Sequence, residues 1–241
     1  MTAPNKLALD KLIVALDFPS RATALQMVDR LDGAVRWLKV GLELYVAEGR
    51  GMVEELRGRG YEVFLDLKLH DIPNTVAGAV RTAAATGAGL LTLHASGGPA
   101  MLAAAVEAAA IVATPPKLLA VTLLTSMNEA QLTAVGIDRG VQQQVVRLGE
   151  MAMAAGVHGL VCSPEEIIPL RSSAAQDAHL VVPGIRPAGY GADDQSRIAT
   201  AGKAIRFGAD MLVVGRPVTK AADPASAARA LLDEIAAAMA E

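Results

Sequence analysis

The chain has 241 residues, 52% of them hydrophobic and only 3% aromatic, so it can bury a large core of Ala, Val and Leu, and intrinsic disorder is excluded. With 22 Lys and Arg against 25 Asp and Glu, the net charge of -3 offers no broad cationic field to nucleic acid or to an anionic membrane. An anionic ligand must therefore be held by a local site.

In chain order, short runs rich in Val, Ile and Leu predict strands at Leu12–Leu16, Val35–Val40, Tyr61–Leu67, Gly89–Leu93, Leu118–Leu124, Gly159–Cys162, Leu180–Val182 and Met211–Val214. Between them, Ala-rich or amphipathic stretches predict helices at Ala22–Leu31, Met52–Arg59, Val76–Ala85, Ala100–Val112, Gln142–Ala155 and Ala225–Ala240. Ser20, Ser163 and Asp223 stand where N-caps belong, and Pro164 and Pro224 follow two of them at the first helical position. Strand runs that are apolar on nearly every residue imply burial on both faces, as in a parallel sheet covered by helices. Units of roughly 30 residues match a strand with its crossover helix. A single (β/α)8 TIM barrel over residues 1–241 fits best. An open doubly wound sheet is the alternative, but Asp17-Phe18-Pro19-Ser20 stands where a dinucleotide site would need a glycine-rich turn.

Two further features bear on location. No Asp, Glu, Lys or Arg occurs between Arg81 and Glu107, but glycines, His94 and Pro99 interrupt the stretch, which argues against a membrane span. The lone Cys162 cannot pair internally, and the N-terminal residues lack the apolar core of a secretory signal. A cytoplasmic location is expected.

Polar residues fall where the apolar runs end: Asp17, Lys39, Asp66 with Lys68, His94, Thr125 with Ser126, Pro183 to Arg186, and Gly215-Arg216. In a parallel barrel these strand ends converge on the face that carries the chemistry. The strand period of two points Asp66 and Lys68 to one side and Leu65, Leu67 and Leu69 to the other. Lys39 and Asp17 should lie beside them, forming an array in which each charge has a partner. Such an array keeps a lysine protonated and an aspartate ionised at neutral pH. Structural ion pairing between strands is the plainer explanation, and four charged strand ends weigh against it.

Asp71, taken by itself, reads as a cap of the helix that follows Ile72-Pro73. The four histidines lack metal-ligand spacing and read as packing or surface residues, so no metal site is expected. After the seventh and eighth strands, Pro183 to Gln195 and Gly215-Arg216-Pro217 occupy the positions where barrels bind phosphate. Backbone N–H groups of glycine turns and a guanidinium fork suit that anion.

Together these residues resemble the orotidine 5'-phosphate decarboxylase family nearly end to end. The most specific piece is Asp66-Leu67-Lys68-Leu69-His70-Asp71-Ile72-Pro73-Asn74-Thr75, which carries the Asp-x-Lys-x-x-Asp signature. Ala15-Leu16-Asp17, Leu38-Lys39-Val40-Gly41, Leu124-Thr125-Ser126-Met127, Pro183-Gly184-Ile185-Arg186-Pro187 and Val214-Gly215-Arg216-Pro217 agree with it. The resemblance implies that Lys68 protonates C6 of the pyrimidine while Asp66 faces the substrate carboxylate. It also implies that Lys39 and Asp17 position the ribose and the array. Asp71 would come from the neighbouring subunit of a homodimer, which displaces the helix-cap reading. Thr75 joins the substrate contacts, Thr125 lies against the pyrimidine, and Pro183, Arg186, Gln195, Gly215 and Arg216 line the phosphate side. No metal and no organic cofactor is implied. Two rivals stand beside this: a magnesium-dependent barrel enzyme acting on a sugar phosphate, and a non-catalytic nucleotide-binding barrel.

Overall fold

A computed structural model describes residues 6–187 and 197–241. Along the chain run α1 (Lys6–Leu9), β1 (Leu12–Ala15), α2 (Arg21–Leu31), β2 (Trp37–Gly41), α3 (Leu42–Glu48), α4 (Arg50–Gly58), β3 (Glu62–Leu69), α5 (Pro73–Ala84), β4 (Leu90–His94) and α6 (Gly98–Ala110). There follow β5 (Lys117–Val121), α7 (Glu129–Ala134), α8 (Val141–Ala154), β6 (Gly159–Val161), α9 (Ile167–Arg171), β7 (His179–Val182), α10 (Ala201–Arg206), β8 (Met211–Val214), α11 (Arg216–Thr219) and α12 (Pro224–Met239). The strands pair in sequence order, all parallel, and β8 returns to β1, so the sheet closes into a TIM barrel.

Alternation along the strands divides the core in two. Leu12 and Val14 of β1 and Val63 and Leu65 of β3 point outward and pack with the helices. Ile13, Ala15, Phe64, Leu90, Leu119, Val181, Met211 and Val213 point inward and form a separate apolar plug, with Trp37 and Val161 against it. The barrel interior is thus a packed core rather than a pore. One inward step beyond the plug lie Asp17 beyond Ala15, Lys39 beyond Trp37, Asp66 beyond Phe64 and Thr92 beyond Leu90. The apolar plug supports a polar layer from below.

The expected N-caps meet different outcomes. Ser20 caps α2 by accepting the Thr23 N–H, and Asp223 caps α12 by accepting the Ser226 N–H at 3.0 Å, with Pro224 opening that helix. Ser163 is the N-cap of a 3₁₀ turn, Pro164–Glu166, that leads into α9, and Glu166 Oε2 reaches back to accept its N–H at 2.7 Å in a capping box. The fifth strand ends at Val121 rather than Leu124, because the chain there turns into the loop that carries Thr125. Among the described residues, no helix is long and apolar enough to cross a membrane.

Candidate active site

At the C-terminal mouth of the barrel lies a cavity of about 560 Å³. Its floor is made by Ala15, Phe64, Val121, Val161 and Val213, and Asp17, Lys39, Asp66 and Lys68 stand on one wall. Those four side chains form a continuous chain of charge. Lys39 Nζ donates to Asp17 Oδ1 at 2.9 Å and lies 3.6 Å from Asp66 Oδ2; Lys68 Nζ is 2.9 Å from both oxygens of Asp66. Side-chain exposure is 10% at Lys39, 13% at Asp66, 30% at Lys68 and 58% at Asp17, so the middle is dry and the ends face the opening.

Burial alone would push the Asp66 carboxyl up, yet the Lys39 and Lys68 ammonium groups, with hydrogen bonds from Lys68 and Thr92, hold it below the ordinary aspartate value. Burial would likewise depress Lys39, but the Asp66 and Asp17 carboxylates outweigh it and hold that ammonium above the ordinary lysine value. The two central groups stay charged because each has the other.

Strand alternation accounts for Asp66 but not fully for Lys68. β3 loses regular pairing with β4 between Leu65 and Leu69, and Lys68 takes a left-handed backbone at φ 50°. That region costs a residue with a side chain roughly 1–2 kcal/mol. Thr92, fully buried on β4, secures it: the Thr92 hydroxyl accepts the Lys68 N–H at 2.8 Å and donates to Asp66 Oδ1 at 2.9 Å. One hydroxyl thus holds the lysine backbone and the aspartate carboxylate together. Thr92 is absent from the residues that sequence reasoning selects, and its only sequence signal is a hydroxyl at an inward position of an otherwise apolar strand. Gly41, at the end of the Leu38–Gly41 motif, leaves room for the array: a Cβ there would lie 2.6 Å from Lys39 Nζ and 3.0 Å from Asp17 Oδ1.

Thr125, Ser126, Pro183, Gly184, Arg186, Gly215 and Arg216 line the rest of the cavity, with Gly215 and Arg216 following β8, the strand beside β1. Arg186 is buried; one of its terminal nitrogens donates to the Ile185 carbonyl at 3.0 Å, and its Nε is buried with no hydrogen-bond partner among the described residues. A buried guanidinium nitrogen left unsatisfied is costly, which suits a site completed by an anion. Gln195, together with the Tyr190 part of the loop, lies outside the described residues.

Asp71 and Thr75 do not join the cavity of their own chain. Both are exposed, and Asp71 Oδ1 accepts the N–H of the next residue, Ile72, at 2.6 Å. The cap reading of Asp71 is corrected accordingly: the N-cap position of α5 belongs to Ile72, which makes no side-chain cap. None of the four histidines lines the cavity. His70 and His94 stack with ring centroids 5.4 Å apart, and His158 Nδ1 accepts the Leu118 N–H at 3.2 Å. Among the described residues, no group of three or more His, Cys, Asp or Glu is placed to hold a metal ion.

Charged strand ends over an apolar plug, at the C-terminal mouth of a closed parallel barrel, define a TIM-barrel enzyme. Residues 10–231 match the model of the orotidine 5'-phosphate decarboxylase / HUMPS family, and the chain belongs to that family. It is 51% identical over 224 residues to an orotidine 5'-phosphate decarboxylase of Opitutus terrae, covering 93% of this chain and 97% of that one. With the Gluconobacter oxydans enzyme of the same name it shares 52% identity over 232 residues, 95% of this chain and 98% of the other. Among solved structures, orotidine 5'-phosphate decarboxylase from Lactobacillus acidophilus superposes with a TM-score of 0.84 at 36% identity, covering 94% of this chain and 99% of that one.

Proposed function

We propose that this protein converts orotidine 5'-monophosphate to UMP and carbon dioxide with Lys68 as the proton donor. The observation that carries the assignment is the Asp17–Lys39–Asp66–Lys68 chain of charge at the rim of a cavity that Arg186 and Arg216 also line. In the reaction the C6–carboxylate bond breaks, its electron pair stays on C6, and a proton from Lys68 Nζ forms the C6–H bond. Lys68 is then reprotonated from solvent.

The electron pair lies in the ring plane and cannot spread into the π system, so a fixed cation must meet it. At about 4 Å and an effective dielectric near 20, one ammonium contributes roughly 4 kcal/mol. Enzymatic accelerations of about 10⁶–10¹⁷-fold require roughly 8–23 kcal/mol, so Lys68 does not suffice alone. The remainder comes from pre-oriented charge and from phosphate binding that aligns the ring. Asp66 beside the substrate carboxylate adds a repulsion that disappears when neutral carbon dioxide leaves.

Thr125 faces the pyrimidine, and Pro183, Arg186, Gln195, Gly215 and Arg216 take the phosphate side. Asp71 and Thr75 serve the cavity of the second subunit in a homodimer; their exposure in the single chain supports that role. No metal or organic cofactor takes part, and the buried lone thiol at Cys162 suits a reducing cytoplasm. Mixing the protein with orotidine 5'-monophosphate in EDTA should make the substrate absorbance fall. Activity that needs added magnesium would favour a sugar-phosphate enzyme, and binding without turnover would favour a nucleotide-binding barrel.

A further inference from the structure

Outside the cavity lies a second buried ion pair that the reaction does not use. Arg197 and Glu166 are bonded through a terminal guanidinium nitrogen and Oε1, with side-chain exposures of only 9% and 3%. Burying two charges is costly, and replacing such a pair with apolar side chains is often neutral or stabilising, so stability alone is a weak reason for it. The remaining donors of Arg197 indicate another purpose.

Arg197 Nε reaches the Thr125 carbonyl at 3.4 Å, and its second terminal nitrogen reaches the carbonyls of Leu124 at 3.2 Å and Met127 at 3.4 Å. These three carbonyls belong to the turn after β5, which is closed by a 2.9 Å bond from the Met127 N–H to the Leu124 carbonyl and which presents Thr125 and Ser126 to the cavity. Glu166 is itself fixed by the N–H of Ser163. Arg197 is fixed from its other side, because two residues later Ala199 exchanges backbone bonds with Gly184 and Arg186, at 3.2 and 2.9 Å. Three segments, following β5, β6 and β7, therefore meet at one guanidinium. Neither Arg197 nor Glu166 lines the cavity.

We propose that Arg197, neutralised by Glu166, is a positioning residue that sets the wall facing the pyrimidine by holding the Leu124–Met127 turn from behind. A planar fork with several donors can satisfy an acid and three carbonyls at once, which a point charge cannot do. The inference deepens the proposed function and rests on it for the identity of the ligand that the wall faces.

The test is the double substitution Arg197→Met with Glu166→Met, which removes both charges and strands neither. Two readouts separate anchoring from general damage: amide hydrogen exchange across residues 124–127, and binding of UMP beside that of ribose 5-phosphate, which lacks the base. The expected result is faster exchange in the turn, with UMP weakened at least tenfold and ribose 5-phosphate within about twofold of the parent protein. Unchanged exchange, or equal weakening of the two ligands, or no weakening of UMP, would overturn the proposal. If the double variant does not fold, Arg197→Lys, which keeps Glu166 paired but loses the fork, is read by the same criteria. A parent protein that fails to bind UMP while the variant's turn exchanges faster would refute the proposed function and leave the anchoring intact.

Discussion

Thr92→Val deletes one buried hydroxyl and almost no volume, and it strikes the geometry that aims Lys68. Two bonds vanish: the 2.9 Å donation to the ionised Asp66 and the 2.8 Å acceptance of the Lys68 N–H. The first, a hydrogen bond to a charged group, accounts for about 1.5–3 kcal/mol, and the second leaves a backbone N–H without its acceptor at about 1–3 kcal/mol. A loss of about 2.5–6 kcal/mol at roughly 2–4 °C per kcal/mol lowers the Tm by about 5–24 °C for a chain of this length. Lys68 then loses the contact that secures its left-handed backbone, and the ammonium moves relative to Asp66. If about 2.7 kcal/mol of the loss falls on the transition state, kcat drops about 100-fold. Stopped assays of orotidine 5'-monophosphate turnover, UMP titrations and thermal melts measure the three effects, with Thr92→Ser as the control that keeps the hydroxyl. The expected pattern is a large loss of kcat in Thr92→Val, a small change in UMP affinity, and recovery in Thr92→Ser. Turnover of Thr92→Val within about threefold of the parent would refute the positioning of Lys68 through this hydroxyl.

Gly41→Ala places a methyl where the Lys39 ammonium lies; because that ammonium ends a flexible side chain it can swing aside, so the Tm should move little while turnover falls at least tenfold, as melts and rate assays would show. The pH dependence of stability follows from the two central groups. Asp66 has a lowered folded pKa, so its contribution is present above the unfolded value near about 3.9 and is lost as pH falls toward the folded value; Lys39 has a raised one, so its contribution is complete below about 10.4 and is lost as pH rises through the folded value. Thermal melts across pH should show the acid-side part of this decline in the parent protein and a smaller one in Asp66→Asn. If the proposed homodimer shares its sites, mixing inactive Lys68→Ala and Asp71→Ala proteins should restore activity, because half of the sites in a hybrid dimer would combine an intact Lys68 with an intact Asp71 from the other subunit. Mixtures as inactive as their components would remove Asp71 from a shared site.

The strands were legible because each is buried on both faces, which compresses the strand signal into unbroken apolar runs such as Leu12–Ala15 and Met211–Val214. The charged ends of those runs revealed Asp17, Lys39, Asp66 and Lys68 for the same reason: a charge at the end of such a run is conspicuous. Short helices were not legible. α3, α7, α9 and α10 have five to seven residues each, too few to display a 3.6-residue period. Alternation points Lys68 to the side of Asp66, and its side chain does line the cavity, although the backbone breaks that alternation at Lys68 itself. Thr92 and Arg197 escaped because their importance lies in partners distant in sequence: a threonine in a strand and an arginine in a loop look ordinary until Asp66 and Glu166 are brought beside them.

The central claim is that the Lys68 ammonium meets the charge that forms at C6. Lys68→Ala, assayed for decarboxylation and titrated with UMP in parallel, tests it most directly. Turnover reduced by several orders of magnitude with UMP still bound is the predicted result, whereas near-normal turnover would contradict it.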